Sequence, residues 1–420
     1  MPALGAYRAL FAATGPRLPV LSFLARLPNA MGPLGVLTLL VATTGSYSAA
    51  GIATAALGVG AAFGGPAVGA LADRYGQRPV GLVAALVDAA GYAGLVAAAL
   101  LHGPASLVTA LATVAGLATP QVGPFMRVRW VHLLRARGKL VPTAFSYEGA
   151  VDETSFVAGP ALVGLCALMF PPAVPLLIAA ALLVVAGLAF ALHPTAPAPV
   201  AVSGSAAPRA RLPRRTVLGL VLAMAALGAI FGGTQTGVTA LAGSIGRPGS
   251  AGLIYAVLGV GSATAGLATA WLPARFRYPA RYLVFAAALA VAVTALLTIS
   301  GPAGAIAAMA VLGLLVAPYL ITVYALAERI APPGRTATVL TLLAAGIVAG
   351  VALGAGLAGT LADRYGFRGA FAVPVAAGLI ALLLAATAYR RLARTSAGLV
   401  APGVAAGDSA PRRPESLVEA

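Results

Sequence analysis

Apolar residues run through this chain in blocks of about 20, broken by short stretches carrying Gly, Pro or Arg. A block of that length crosses ~30 Å of hydrocarbon as a helix. Such blocks predict spans near 18–43, 49–71, 79–101, 105–127, 144–169 and 172–193, and a second set near 216–240, 250–272, 282–300, 303–327, 337–361 and 369–390. The stretch between the sets, PTAPAPVAVSGSAAPRARLPRR (194–215), is rich in Pro, Ala and Ser and then basic, and reads as a solvated linker. The tail TSAGLVAPGVAAGDSAPRRPESLVEA (395–420) is low in complexity and is expected to be disordered. The start lacks the pattern of a cleaved signal, so the first block reads as a retained span. The expectation is an all-α integral membrane fold of twelve helices: a half at 1–193, the linker, a half at 216–394 and the tail.

Composition agrees. The 420 residues are 60% hydrophobic and 9% charged, where a soluble domain carries roughly a quarter charged residues. The 51 Gly suit helices that pack closely in lipid. A net charge of +17 in a soluble protein suggests nucleic acid. Here the arginines fall in short loops without aromatic interleaving, so no nucleic-acid partner is expected. Cys166 alone supports neither a disulfide nor a metal framework. No G-x-x-x-x-G-K-[ST] phosphate loop occurs, which excludes that kind of primary pump. The loops carry arginines almost without acids, so neither an enzyme nor a cofactor is expected.

With twelve spans both termini share a side. That side holds Arg74, Arg78, Arg127, Arg129, Arg135, Arg137, Lys139, the 209–215 group, Arg275, Arg277, Arg281, Arg329, Arg335 and the 390–394 group. The other holds Arg247, Arg364 and Arg368. The positive-inside rule therefore predicts cytoplasmic termini and linker. The Ala-, Arg- and Gly-rich composition suggests a GC-rich bacterial genome, and with it a plasma-membrane location.

The segment LADRYG occurs at 71–76 and again at 361–366. The two copies are not duplication partners: LADRYGQR at 71 pairs with LPARFRYP at 272, ATPQV at 118 with VAPYL at 316, and GPALVG at 159 with GAGLAG at 354. Two six-span halves joined by a basic linker, with GALADRYGQR (69–78) between spans 2 and 3, resemble the major facilitator superfamily, whose signature loop reads G-x-L-a-D-r-x-G-r-r. In that family the loop latches the halves in the outward-facing state, which implies this role for Gly69, Asp73, Arg74, Gly76 and Arg78. Physically, Gly69 permits close approach, Gly76 a turn at positive φ, and Asp73 can cap a helix or face a neighbouring N-terminus. The second copy resembles the family's ordinary turn between spans 11 and 12.

A charge at the bilayer centre costs roughly 2.5–3.5 kcal/mol, so each one inside a span needs a partner or a task. Glu148 and Asp152 lie four apart on span 5 and share a face; Glu153 points away. Arg127 and Arg129 leave span 4 at a similar depth, so carboxylate–guanidinium pairs between spans 4 and 5 are expected, either as static ties or as proton-titrated switches. Asp88 in span 3 is the least expected charge; its partner is Arg26 or a polar group. The resemblance implies a central cavity lined by spans 1, 4, 7 and 10, hence by Arg26, Asn29, Gln121, Thr234, Gln235, Tyr319, Thr322 and Tyr324. Gly159, Pro160 and Gly164 resemble part of the span-5 signature of the family's drug–proton antiporters and suit a bent, closely packed helix. SLVTALATVAGLATP lacks the early span-4 Arg of many proton-coupled relatives, so coupling must use other residues. The expected function is a monomeric secondary transporter, exporting a hydrophobic or drug-like small molecule in exchange for protons. The alternatives are a symporter for an organic anion held by Arg26 and a non-transporting receptor of the same fold.

Overall fold

The computed structural model describes residues 8–12, 15–197, 213–269, 272–273, 275–332 and 336–398. The disorder expected of the tail concerns 399–420, and most of the linker is 198–212; both lie outside the described residues. The apolar blocks form α1 (Arg17–Thr44), α2 (Tyr47–Tyr75), α3 (Gln77–Leu100), α4 (Ala105–Leu133), α5 (Val141–Met169), α6 (Val174–Leu192), α7 (Arg214–Ser244), α8 (Ser250–Ala268), α9 (Tyr278–Thr298) and α10 (Pro302–Ile330). A last run, Thr336–Gly398, is divided at Gly366 into α11 (336–365) and α12 (367–398).

The two LADRYG copies stop their helices in the same way. Gly76 sits at φ 92° between α2 and α3, and Gly366 at φ 65° between α11 and α12. A side chain is strained at positive φ, so each turn needs only its one glycine. The broad break expected between spans 11 and 12 therefore shrinks to a single residue. Span 4 departs more. It runs to Leu133 rather than to about 127, and it is interrupted at Thr119–Gln121, where Pro120 supplies no N–H. Arg127 and Arg129 thus lie inside the last turns of α4 instead of at its exit. α6 contains a π turn at Leu183–Gly187.

Each half has its own apolar core, around Met31, Leu34, Leu57 and Leu95 in the first and Leu227, Ile230, Leu289 and Leu312 in the second. Large apolar side chains such as Phe63 and Leu101 face outward at 72% and 80% exposure, as lipid contact requires. We call the end that carries the α6–α7 connection the linker end and the opposite one the far end.

The halves meet chiefly along α2 with α11 and α5 with α8. A Cβ on Gly51 would lie 2.5 Å from the Ala355 carbonyl oxygen, and one on Gly164 would lie 2.7 Å from the Leu253 nitrogen. Both contacts are in the far half of the bundle. Toward the linker end, a Cβ on Gly69 or Gly149 would meet nothing within 4 Å, and Asp73 and Asn29 are exposed. The molecule is closed at its far end and splayed at its linker end. Gly69 accordingly makes no close helix contact in this conformation, contrary to the sequence expectation.

Candidate functional site

Four charged side chains from three helices converge in the first half. Arg26 and Ser22 are one turn apart on α1, and Arg26 Nη1 donates to Ser22 Oγ at 2.9 Å. Its Nη2 donates to Glu148 Oε2. Arg26 Nε lies 3.1 Å from Asp152 Oδ1 but forms no hydrogen bond, so that contact is coulombic. Asp152 Oδ2 accepts from Arg127 Nη2 at 2.7 Å, and Glu148 Oε1 accepts from Trp130 Nε1 at 2.7 Å. Gly123, just past the α4 break, leaves room for the ring: a Cβ there would lie 3.3 Å from Arg127 Nη1 and 3.4 Å from Asp152 Oδ1.

Two cations and two acids make a neutral cluster, which limits its desolvation cost in the bundle. It is graded in exposure. The Glu148 side chain is 0% exposed and Arg26 6%, while Asp152 is 32% and Arg127 36% exposed. Glu148 and Arg26 form the buried inner pair, and Asp152 and Arg127 the partly exposed outer pair.

Other expected residues sit elsewhere. Glu153 forms no ion pair among the described residues. Arg129 has no acid partner among the described residues. Fully buried, it donates from Nε to Gln77 Oε1 (2.9 Å) and from Nη1 to the Phe190 carbonyl (2.8 Å), with its Cζ 3.8 Å from the centroid of the Phe190 ring. It ties α3, α4 and α6 together instead of pairing α4 with α5. Outside the spans, burial and then the Arg129 charge push His193 below the ordinary imidazole range. Asp88 is 1% exposed, and neither carboxylate oxygen has a partner among the described residues. Arg26, one of the two partners expected for it, is taken by Glu148 and Asp152, and no polar group of a neighbouring span takes its place among the described residues.

The expected cavity residues divide as well. Asn29 is exposed one turn beyond Arg26. Gln121, half-buried at the α4 break, donates to the Thr119 carbonyl at 3.0 Å. Tyr319 is corrected: its ring packs 5.7 Å from that of Tyr282 and its hydroxyl donates to the Ala223 carbonyl at 3.3 Å, inside the second half's core. Thr322 is buried with its hydroxyl on the Pro318 carbonyl; Thr234 and Gln235 are buried too, and Tyr324 packs half-buried against the same core. In α5, Gly159 abuts Ala30 of α1, where a Cβ would come within 2.6 Å of the alanine methyl, while Gly164 faces α8. Pro160 is carried within the continuous α5 helix. In the latch loop Asp73, Arg74 and Arg78 are exposed, Arg74 lies over the Tyr75 ring at 5.2 Å, and Asp73 has no partner among the described residues. Trp130, Gln77 and Phe190 escaped sequence reasoning. Trp130 is three positions from Arg127, a readable signal; nothing local marks Gln77.

The Major Facilitator Superfamily model matches residues 20–313 and 238–410. No curated protein matches in sequence. Similar solved structures include the nucleoside transporter NupG (19% identity, TM-score 0.69, covering 90% of this chain and 98% of that one). They also include a POT peptide transporter (15%, 0.67, 90% and 95%) and the human organic anion transporter MFSD10 (17%, 0.59, 88% and 99%). At these identities the likeness is one of fold, whereas the sequence match spans the helices of both halves. The chain belongs to the Major Facilitator Superfamily and is a multi-pass membrane transporter.

Proposed function

We propose that this transporter exchanges protons for a small apolar or drug-like organic molecule, with Asp152 as the group that takes up the proton. The observation that carries this reading is the bridging of Arg26 and Arg127 by a carboxylate that is itself one-third exposed. Protonating it releases Arg127 and loosens Arg26 from the α5 face, which couples proton uptake to the fit of α1, α4 and α5. Burial of the site raises the cost of every unmatched charge, so the free arginines re-pair when the proton leaves. The neutral groups nearby, Asn29 and Gln121, suit a substrate without a strong charge. Export is the direction suggested by the resemblance of Gly159, Pro160 and Gly164 to the antiporter signature. On the arginine asymmetry we place the linker end in the cytoplasm, with the bilayer being the plasma membrane and the monomer the working unit. The nucleoside, peptide and organic-anion cargoes of the similar structures bracket the size of cargo this fold carries. Symport of an organic anion on Arg26 is less well supported, because Glu148 and Asp152 cover that guanidinium from two sides.

The test is purified protein in liposomes enclosing a pH-sensitive dye, with an imposed proton gradient and pooled compounds. Compound-dependent proton flux in the wild type that is lost in Asp152→Asn supports the reading, and its sign gives the direction. Substrate movement without proton flux reduces the cluster to a structural tie. No movement across a broad library favours a receptor.

A further inference from the structure

The second LADRYG segment is more than a turn. Asp363, in the last turn of α11, reaches the first turn of α2 in the other half. Its Oδ1 accepts from the Tyr47 N–H at 2.7 Å, and its Oδ2 accepts from the Ser48 N–H at 2.8 Å and from the Ser46 hydroxyl at 2.7 Å. The first N–H groups of a helix have no partner within it. Ser46 itself satisfies Ala49 at 3.1 Å, and Asp363 satisfies the two before it. The negative charge also faces the positive end of the α2 dipole. Around this contact the far end is sealed: Tyr47 packs on the second-half cluster of Ala240, Ala358, Ala362 and Ala370, and Gly359 lies directly against the Tyr47 carbonyl.

We propose that Asp363 is the far-end latch of the transport cycle, a helix cap lent by one half to the other that holds the linker-end-open conformation and is returned to water when the far end opens. All three bonds join residues of different halves, so none of them survives separation of α2 from α11. Asp363 is exposed, so water compensates for much of each lost bond. The latch is therefore light, as a contact broken once per cycle must be. The inference rests on the alternating-access part of the proposed function and on none of its proton chemistry.

The experiment reads conformation, so its outcome is independent of whether a substrate or proton flux is found. In full-length protein with Cys166→Ser, spin labels on cysteines introduced at Arg137 and Arg275 report the linker end, and a pair at Leu101 and Ser300 reports the far end. Asp363→Ala is expected to shift the equilibrium by about 3- to 10-fold toward far-end-open, lengthening the far-end distance and shortening the linker-end one. Ser46→Ala is expected to shift it the same way by a smaller factor, and Asp363→Asn to fall between. A merely structural role predicts a lower melting temperature with both distance distributions in place. That result, or unchanged distributions in well-folded Asp363→Asn protein, overturns the proposal.

Discussion

Arg129 has no exposed surface; its Nε is matched by an amide oxygen and its Nη1 by a backbone carbonyl, its plane stacks on a phenyl ring, and its Nη2 is left without a partner among the described residues. Lysine cannot reproduce that fork, because its ammonium is a point charge without a plane to stack. Arg129→Lys is therefore expected to lose about 2–4 kcal/mol of stability, read as a lower melting temperature in detergent, with flux per folded molecule unchanged. Trp130→Phe keeps an aromatic side chain but removes the indole donor to buried Glu148. It is expected to cost about 1–3 kcal/mol, measured by the same melt. Both differ from Asp152→Asn, whose loss is in coupling; its partner Arg127 is a third exposed, and water screens what the pair contributes to stability.

The elements show where sequence patterning sufficed and where it did not. Twelve spans were legible because each is a run of lipid-compatible residues, and that signal needs no partner. The pairing of Arg127 with Asp152 was legible as well, since two opposite charges at matching depth on adjacent spans have few other outlets. Arg26 with Glu148, by contrast, joins residues of distant sequence position, and Asp88 looked an equal claimant until helix rotation was known. Tyr319 was misplaced for the same reason: span membership does not say which face of α10 a ring occupies. The α4 break was visible only as Pro120, and its meaning lies in the short helix beyond it, which presents Gly123 and Arg127 to α5. Pro120→Ala supplies the missing N–H and lets the break close. The expected result is a higher melting temperature with compound-dependent proton flux reduced by at least about tenfold, because the turn carrying Arg127 rotates away from Asp152. Unchanged flux in a stabilised variant would show the break to be incidental.

At the scale of the whole molecule, α2 and α11 form an antiparallel pair across the two halves, each ending in the same six residues and the same positive-φ glycine. Asp363 at the end of α11 caps the start of α2 where the halves touch. Asp73 occupies the corresponding position at the end of α2, exposed where the halves are splayed. The antiparallel arrangement brings it toward the start of α11 when the linker end closes, the role that its loop's resemblance implied. The two aspartates then bias one equilibrium in opposite directions from ends of the bundle nearly a membrane thickness apart. Free-energy changes at sites more than about 7–10 Å apart and without shared partners add. Asp73→Asn is therefore expected to favour the linker-end-open form, Asp363→Asn the opposite form, and the double variant to return the spin-label distances close to those of the wild type. What the double variant does not restore is the barrier, because both end states have lost a cap; interconversion is expected to be faster than in either single variant. A double variant locked in one conformation would show that the two segments share a sequence without sharing a task.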